Sequence, residues 1–374
     1  MPRIKVKRTS TVTDMTAMCD VASLLLTFFI LTATARQPEP LAVSTPSSTY
    51  DFKVPAEDNA ILTIGQGKVF FEVAGTKVRE RTLELMGEQY KITFTPDESK
   101  KFSNIGSFGV PIQSLKSLIA MGATERMKPG VQPGIPADST DNQLNSWVLN
   151  ARKATKELNN KDMRISIKGD AKEEYPVVKK VIDVLQKQKV NKFLLVTNAE
   201  AKRNSLEMAE LITGGKKATP RVDMTPMVDL MFLLVTFFIL TTVISTPQAM
   251  DITKPDKDDN LPENRLELKA TKTMTILLGK NNKVAWYMGE AGKSAPTIES
   301  FSGIEATIIK NRKASNETEK DPFVVLVKPT SGSTFQNFVD MMDELEILKV
   351  NARQIDDDNI QDNEKAFMKE QGIL

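Results

Sequence analysis

One pattern occurs twice in this chain and constrains it more than anything else. Asp14-Met15-Thr16-Ala17-Met18-Cys19-Asp20 leads into Val21-Ala22-Ser23-Leu24-Leu25-Leu26-Thr27-Phe28-Phe29-Ile30-Leu31-Thr32. At an offset of 209 residues, Asp223-Met224-Thr225-Pro226-Met227-Val228-Asp229 leads into Leu230-Met231-Phe232-Leu233-Leu234-Val235-Thr236-Phe237-Phe238-Ile239-Leu240-Thr241. Between Asp14 and Arg36 the only charge is Asp20, and the intervening 21 residues reach about 30 Å at helical rise, the thickness of a bilayer core. From Asp223 to Asp251 the only charge is Asp229. A helix on the surface of a soluble protein shows a polar face within two turns, and neither stretch does. Membrane-spanning helices are therefore expected over 15–35 and 223–246, each with one carboxylate. A cleaved signal peptide fits less well, because its charges precede the apolar run and no Asp lies inside it. Ala33-Thr34-Ala35 resembles a cleavage site, but nothing after Asp229 does.

An Asp at the centre of a span is disfavoured by about 2.5–3.5 kcal/mol, so it faces a protein partner or a water-filled path. Asp20 and Asp229 are thus functional candidates. Helical spacing places Asp20, Leu24, Thr27 and Leu31 on one face, and Asp229, Leu233, Thr236 and Leu240 on the matching face of the second run. Thr27 and Thr236 form a candidate proton path two turns from each carboxylate. The alternative for these hydroxyls is a hydrogen bond to their own helix backbone.

The chain has no histidine, which removes His-based catalytic triads, imidazole metal ligands and imidazole proton relays and leaves carboxylates as the proton carriers. Its single cysteine, Cys19, lies inside the first apolar run, so the soluble parts hold no intrachain disulfide, and a small apolar filler is its simplest role. A net charge of +2 does not point to nucleic acid. Gly214-Gly215-Lys216-Lys217 lacks the Ser or Thr of a phosphate loop and reads as a basic linker. Lys172-Glu173-Glu174 and Asp356-Asp357-Asp358 read as solvated surface. No spacing of carboxylates makes a metal or glycosidase site. No enzyme chemistry, cofactor or metal is expected.

In chain order, Pro2-Arg3-Ile4-Lys5-Val6-Lys7-Arg8 sets four cations before the first run, which places residues 1–14 in the cytoplasm. Residues 36–60, rich in Ser, Thr and Pro, read as a tether. A first soluble domain over 61–198 opens with a hairpin, Ile61–Ile64 and Val69–Val73 around Gly65-Gln66-Gly67-Lys68. A mixed insert over 75–160 follows, turn-like at Thr95–Glu98 and helical over Pro111–Met121 and Asp141–Glu157. The domain closes with a strand at Arg164–Lys168, an amphipathic helix at Tyr175–Lys187 and a strand at Lys192–Thr197.

After a linker over 199–222, the second span and a tether over 247–270, a second domain over 271–374 repeats that ending at an offset of 160 residues. Phe323–Lys328 matches the strand, Phe335–Leu348 the helix, and Asp343 falls on Asp183. Its hairpin is Met274–Leu278 and Val284–Met288. The fold class expected is α+β, a single transmembrane helix plus a small α/β-sandwich-like domain, written twice.

The run Asp-Met-Thr-Pro-Met-Val-Asp followed by Leu-Met-Phe-Leu-Leu-Val-Thr-Phe-Phe-Ile-Leu resembles the span of the ExbD/TolR family, the small subunit of ion-driven inner-membrane motors. The first copy departs from it with Ala17 in place of Pro and with Cys19, Ala22 and Ser23 in place of bulkier apolar residues. The resemblance implies that Asp20 and Asp229 carry protons inside a pore made by a multi-span ExbB/TolQ-like partner. It also implies that the soluble domains are periplasmic, self-associate, and contact a TonB- or TolA-like energy transducer, in outer-membrane transport or in envelope integrity. A passive membrane-anchored scaffold, with each Asp only a polar contact in a helix bundle, is the alternative from a different class.

The junction poses a physical problem. Cations precede both spans (Lys216, Lys217 and Arg221 for the second), and Asp251, Asp256, Asp258 and Asp259 follow the second, so charge orients both with the N-terminus inside. A continuous chain then needs a third crossing, and the charges of residues 199–222 are too many for lipid. Either two subunits are joined in one sequence, or the second span is inverted and residues 247–374 are cytoplasmic.

Overall fold

The computed structural model describes residues 25, 39–50, 52–137, 141–199, 247–254, 269–315, 317 and 322–374. Both apolar runs, apart from Leu25, fall outside the described residues, and among the described residues no helix is long and apolar enough to cross a membrane. The described soluble parts belong to one compact unit, Pro38–Arg203 with Thr246–Leu374.

The first sheet grows from the expected hairpin. Strand β1 (Ser47–Ser48) precedes β2 (Asn59–Gly65) and β3 (Lys68–Val73), which pair antiparallel from Ala60–Val73 to Gly65–Lys68. Gln66 and Gly67 between them both have positive φ, the geometry of a tight hairpin whose twist matches its strands. Strand β4 (Arg164–Gly169) lies parallel to β2, and β5 (Lys192–Ala199) parallel to β4.

Between β3 and β4 the insert is a helical layer: α1 (Thr76–Tyr90), α2 (Pro96–Ser103), α3 (Leu115–Ala120), α4 (Ala123–Arg126) and α5 (Gln143–Asn159). Residues Thr95–Glu98 are not a turn but the start of α2. The Thr95 side chain accepts from the Glu98 N–H, and the Glu98 carboxylate accepts from the Thr95 N–H, the reciprocal cap of a helix N-terminus. The insert is welded to the sheet by aromatic packing. Trp147 on α5 is fully buried, with ring centroids 4.8 Å from Phe108, 6.0 Å from Phe102 and 6.4 Å from Phe71 on β3.

The crossover from β4 to β5 is α6 (Tyr175–Lys187), whose inward residues Val178, Val181, Ile182 and Leu185 are buried. Strand β6 (Gln248–Thr253) then returns to this sheet and pairs antiparallel with β5, Thr197 opposite Gln248 and Lys192 opposite Thr253. This stretch lies in the segment expected to be a tether. Its alternation, with Ala249, Met250 and Ile252 buried and Asp251 and Thr253 exposed, suits an edge strand with one face on the core.

The second sheet has order β11-β10-β7-β8-β9, built from β7 (Thr273–Leu278), β8 (Lys283–Met288), β9 (Thr297–Ser300), β10 (Val324–Pro329) and β11 (Ala352–Ile355). Helix α7 (Ile304–Ala314) precedes β10, α8 (Phe335–Ile347) crosses from β10 to β11, and α9 (Asp362–Glu370) closes the chain. The β10-α8-β11 unit repeats β4-α6-β5 at the offset of 160 read from the sequence.

The two repeats meet through the starts of their crossover helices. Tyr175 N–H donates to the Ser333 carbonyl at 3.0 Å, and Phe335 N–H donates to the Glu173 carbonyl at 2.8 Å. These bonds exchange under the 160-residue offset, so the halves are related by a local two-fold axis through the Glu174–Thr334 bridge. The rings of Tyr175 and Phe338 pack at 5.2 Å, and Phe335, fully buried, covers Gly169 so closely that a Cβ there would sit 2.6 Å from a ring carbon. Replacing the Trp147 indole with alanine empties the centre of the insert, and Trp147→Ala is expected to lose about 3–5 kcal/mol of stability in denaturant unfolding.

Candidate functional site

The residues expected from the sequence to carry protons, Asp20 and Asp229, and their companions Thr27 and Thr236 all lie outside the described residues. The structure instead brings together a buried polar cluster where the halves meet. Tyr175 is the first residue of α6, with Pro176 next in the opening turn, a position where proline's missing N–H costs nothing. Its hydroxyl donates to Asp357 Oδ2 at 3.0 Å. One turn along α6, Lys179 lies 3.3 Å from the same oxygen and also meets Asp358. Lys254, at the end of β6, reaches Asp357 Oδ1 at 2.5 Å, with both side chains nearly inaccessible. That contact is a close ion pair without the alignment of a hydrogen bond.

One carboxylate of the second half thus gathers two ammonium groups and a phenol, two of the three from the first half's own helix. Burial above all, and the Asp357 charge next, push Tyr175 well above the ordinary tyrosine range. Asp357 is therefore no part of a solvated acidic run, as its sequence context suggests. The signal available in the sequence is the register: Asp357 follows the last strand and falls on Thr197 of the first copy, where no charge occurs.

A second buried cluster sits in the second half. Lys328 on β10 pairs with Glu364 on α9 at 3.1 Å, both nearly inaccessible, and Tyr287 donates to Glu364 at 2.5 Å. Its counterpart in the first half pairs Lys168 with Glu39, and the same exchange recurs in the apolar contacts. Leu41 and Val43 lie against Gly65 at the end of β2, while Met368 and Ile373 lie against Gly279 at the end of β7. The C-terminal segment of the second half thus occupies the place that residues 39–44 occupy in the first.

The segment after the second apolar run has the same spacing as the one after the first, Pro247-Gln248-Ala249-Met250-Asp251-Ile252-Thr253-Lys254-Pro255 against Pro38-Glu39-Pro40-Leu41-Ala42-Val43-Ser44-Thr45-Pro46. With its place taken and Gln248 standing where Glu39 stands, it lies on β5 instead. Among the described residues no group of three or more Cys, Asp or Glu side chains is placed to hold a metal. An open groove of 690 Å³ lies in the insert between α1 and α2 and is lined by charges of both signs, among them Glu84, Glu88, Lys91 and Lys100.

The family model for biopolymer transport protein ExbD/TolR matches residues 7–200 and, separately, 215–356. The chain belongs to the ExbD/TolR family. Two matches in one chain make it a tandem member, and each match takes in one apolar run and most of one soluble domain. The family places the protein among membrane proteins of biopolymer transport. No curated protein and no solved structure matches the chain. The interface between the halves is thus an interface between two ExbD/TolR units.

Two measurements check the cluster. Asp357→Asn leaves the buried Lys254 and the partly exposed Lys179 with Asp358 alone and is expected to cost about 3–5 kcal/mol in denaturant unfolding, whereas Lys254→Met combined with Asp357→Leu costs less, because no buried charge is then stranded. The raised Tyr175 hydroxyl gives a pH dependence of definite sign. The folded state holds this proton more tightly than the unfolded chain, so its contribution is fully present below the ordinary tyrosine pKa of about 10 and is lost as the pH rises above it. Tyr175→Phe is expected to flatten that alkaline fall in melting temperature.

Proposed function

We propose that this tandem ExbD/TolR protein is the proton-channel subunit of an inner-membrane motor of the ExbB/ExbD or TolQ/TolR type. The observation that carries the proposal is the recurrence of one carboxylate at the same place in two otherwise uncharged runs, Asp20 and Asp229, each within a family match. A charge so disfavoured in lipid is tolerated where a partner or a water path receives it. The two helices stand side by side within an ExbB/TolQ-like partner, the N-terminus in the cytoplasm and the soluble domains in the periplasm.

Protonation of Asp20 or Asp229 from the periplasmic side removes the charge and lets the helix change its contacts. Release to the cytoplasm restores it, with Thr27 and Thr236 on the path. The membrane potential contributes about 2.3 kcal/mol per charge per 100 mV, which biases a mechanical step. Movement of the second helix is passed on with little slack, because Gln248, the first residue of β6, lies directly beyond the apolar run and β6 is fixed to β5. The paired soluble domains carry the step to a TonB- or TolA-like transducer that serves outer-membrane transport. The joining of both domains in one unit supports parallel spans.

The passive-scaffold reading differs in one respect that can be measured, since Asn keeps the hydrogen bonding of Asp and cannot carry a proton. Asp20→Asn with Asp229→Asn is expected to abolish transport driven by the proton gradient while the protein still assembles with its partner in membranes. Transport that persists with normal assembly overturns the proton-carrier role. The single substitutions are expected to differ, because Ala17, Cys19, Ala22 and Ser23 make the first site roomier.

A further inference from the structure

We infer that each soluble half of this chain selects the other half as its partner and rejects a second copy of itself. The backbone of the interface is indifferent to that choice. Its two hydrogen bonds, Tyr175 to Ser333 and Phe335 to Glu173, are exchanged by the local two-fold axis, so the main chain would serve a pair of like halves equally well. The side chains around the axis do not obey it.

Shape discriminates first. Phe335 fits only because the residue beneath it is Gly169, where even one added carbon would lie 2.6 Å from the buried ring. The residue of the second half at that place is Pro329, the last of β10. In a pair of two second halves each Phe335 would meet a proline ring where a lone Cβ is already too close. In a pair of two first halves Tyr175 would lie over Gly169 with no carboxylate for its hydroxyl.

Charge discriminates independently and in the same direction. Asp357 takes Tyr175 and Lys179 from the other half. The positions related to these by the offset are Phe335 and Val339, and the position related to Asp357 is Thr197. Two second halves would set each Asp357 against phenylalanine and valine in place of Tyr175 and Lys179, and its remaining cation, Lys254, is brought to it here by the pairing of β6 with the first half's β5. Two first halves would set two Lys179 side chains against Thr197 and Asn198. A charge buried without its partner is far costlier than the pair is beneficial, which is how such clusters select partners. The unit that acts is then one first half with one second half, in equal number and on the same side of the membrane.

The bridge on the axis provides the test. Glu174 and Thr334 are a pair flanked by, not joined by, the two hydrogen bonds, for which the Cα separation is about 4.5 Å, within disulfide range. In full-length protein carrying Cys19→Ser, the double variant Glu174→Cys with Thr334→Cys is expected to form a 174–334 link under copper-phenanthroline oxidation in membranes, identified by mass spectrometry of the linked peptides. Glu174→Cys alone or Thr334→Cys alone would place a cysteine opposite itself only in a pair of like halves, and each is expected to link roughly tenfold less readily or worse. Single variants that link as readily as the double variant overturn the inference.

Pro329→Gly with Asp357→Thr removes both obstacles from the second half, and in that background Thr334→Cys is expected to gain a 334–334 link by roughly tenfold. No gain there overturns the assignment of selection to these two residues. The readout is independent of proton transport, so its outcome and that of the motor reading are separable.

Discussion

The reciprocal pair of hydrogen bonds between Glu173–Tyr175 and Ser333–Phe335 is the constraint on which the rest of the structure depends. It fixes the first turns of α6 and α8 against each other, and those turns carry Tyr175, Phe335 and Phe338, which pack at the centre of the interface. Thr334 caps α8 by accepting from the Asn337 N–H, while the opening of α6 is set by Pro176. Two helix starts that must also pair as strands leave little freedom for the crossovers behind them. The sheets therefore meet in one register, and Gly169, Tyr175 and Asp357 are placed by that register.

The two copies differ in how the residues after each apolar run are held. In the first half Glu39, Leu41 and Val43 lie across the ends of β2 and β4 with Lys168 as the anchor. In the second half the anchor Lys328 is buried deeper and is already paired with Glu364 of α9. A neutral Gln248 could not replace that carboxylate without stranding the ammonium. The segment Gln248–Thr253 is thereby left to find another site, and β5 offers it a row of unpaired backbone groups. Covering that edge also removes a strand-pairing liability from the first sheet. Lys254 then arrives beside Asp357, so the displaced strand helps fix the interface between the halves.

The sequence alone made the repeated unit legible, because a parallel strand, an amphipathic helix and a closing strand each have a period that survives in both copies. The hairpin turns were equally plain, since Gly67, Asn281 and Asn282 are residues that accept positive φ. The insert was less so. Helix α1 is amphipathic only weakly, with Val78, Thr82, Leu83 and Met86 buried among charged neighbours, and the start of α2 presents a Thr-Pro-Asp-Glu run that suits a turn as well as a cap. Strand β6 was hidden because six residues after an apolar run, flanked by prolines and charges, have the composition of a tether. Only the exposed edge of β5, which is a tertiary feature, makes them a strand. The buried cluster was hidden for a similar reason: three consecutive aspartates read as solvated until the lysines that face them are known, and those come from α6 and from beyond the second span.

The pairing of β6 with β5 also bears on the crossing problem at the junction. The chain leaves the first sheet after Ala199 and returns to it at Gln248, which is the register partner of Thr197 on the strand it left. An excursion that begins and ends at one sheet edge begins and ends in one compartment, so a continuous chain must cross the membrane an even number of times in between. In the motor reading proposed above, residues 223–246 supply one crossing. The other would fall to residues 200–222, where Lys202, Arg203, Glu207, Glu210, Lys216, Lys217 and Arg221 make passage through lipid prohibitive. Inverting the second span does not relieve the difficulty, because it would carry Lys254 and Asp357 away from Tyr175 and Lys179. We propose that two ExbD/TolR units with parallel spans satisfy both the charges and the sheet, and mutual selection by shape and charge at the interface is the property that the pairing of such units would need.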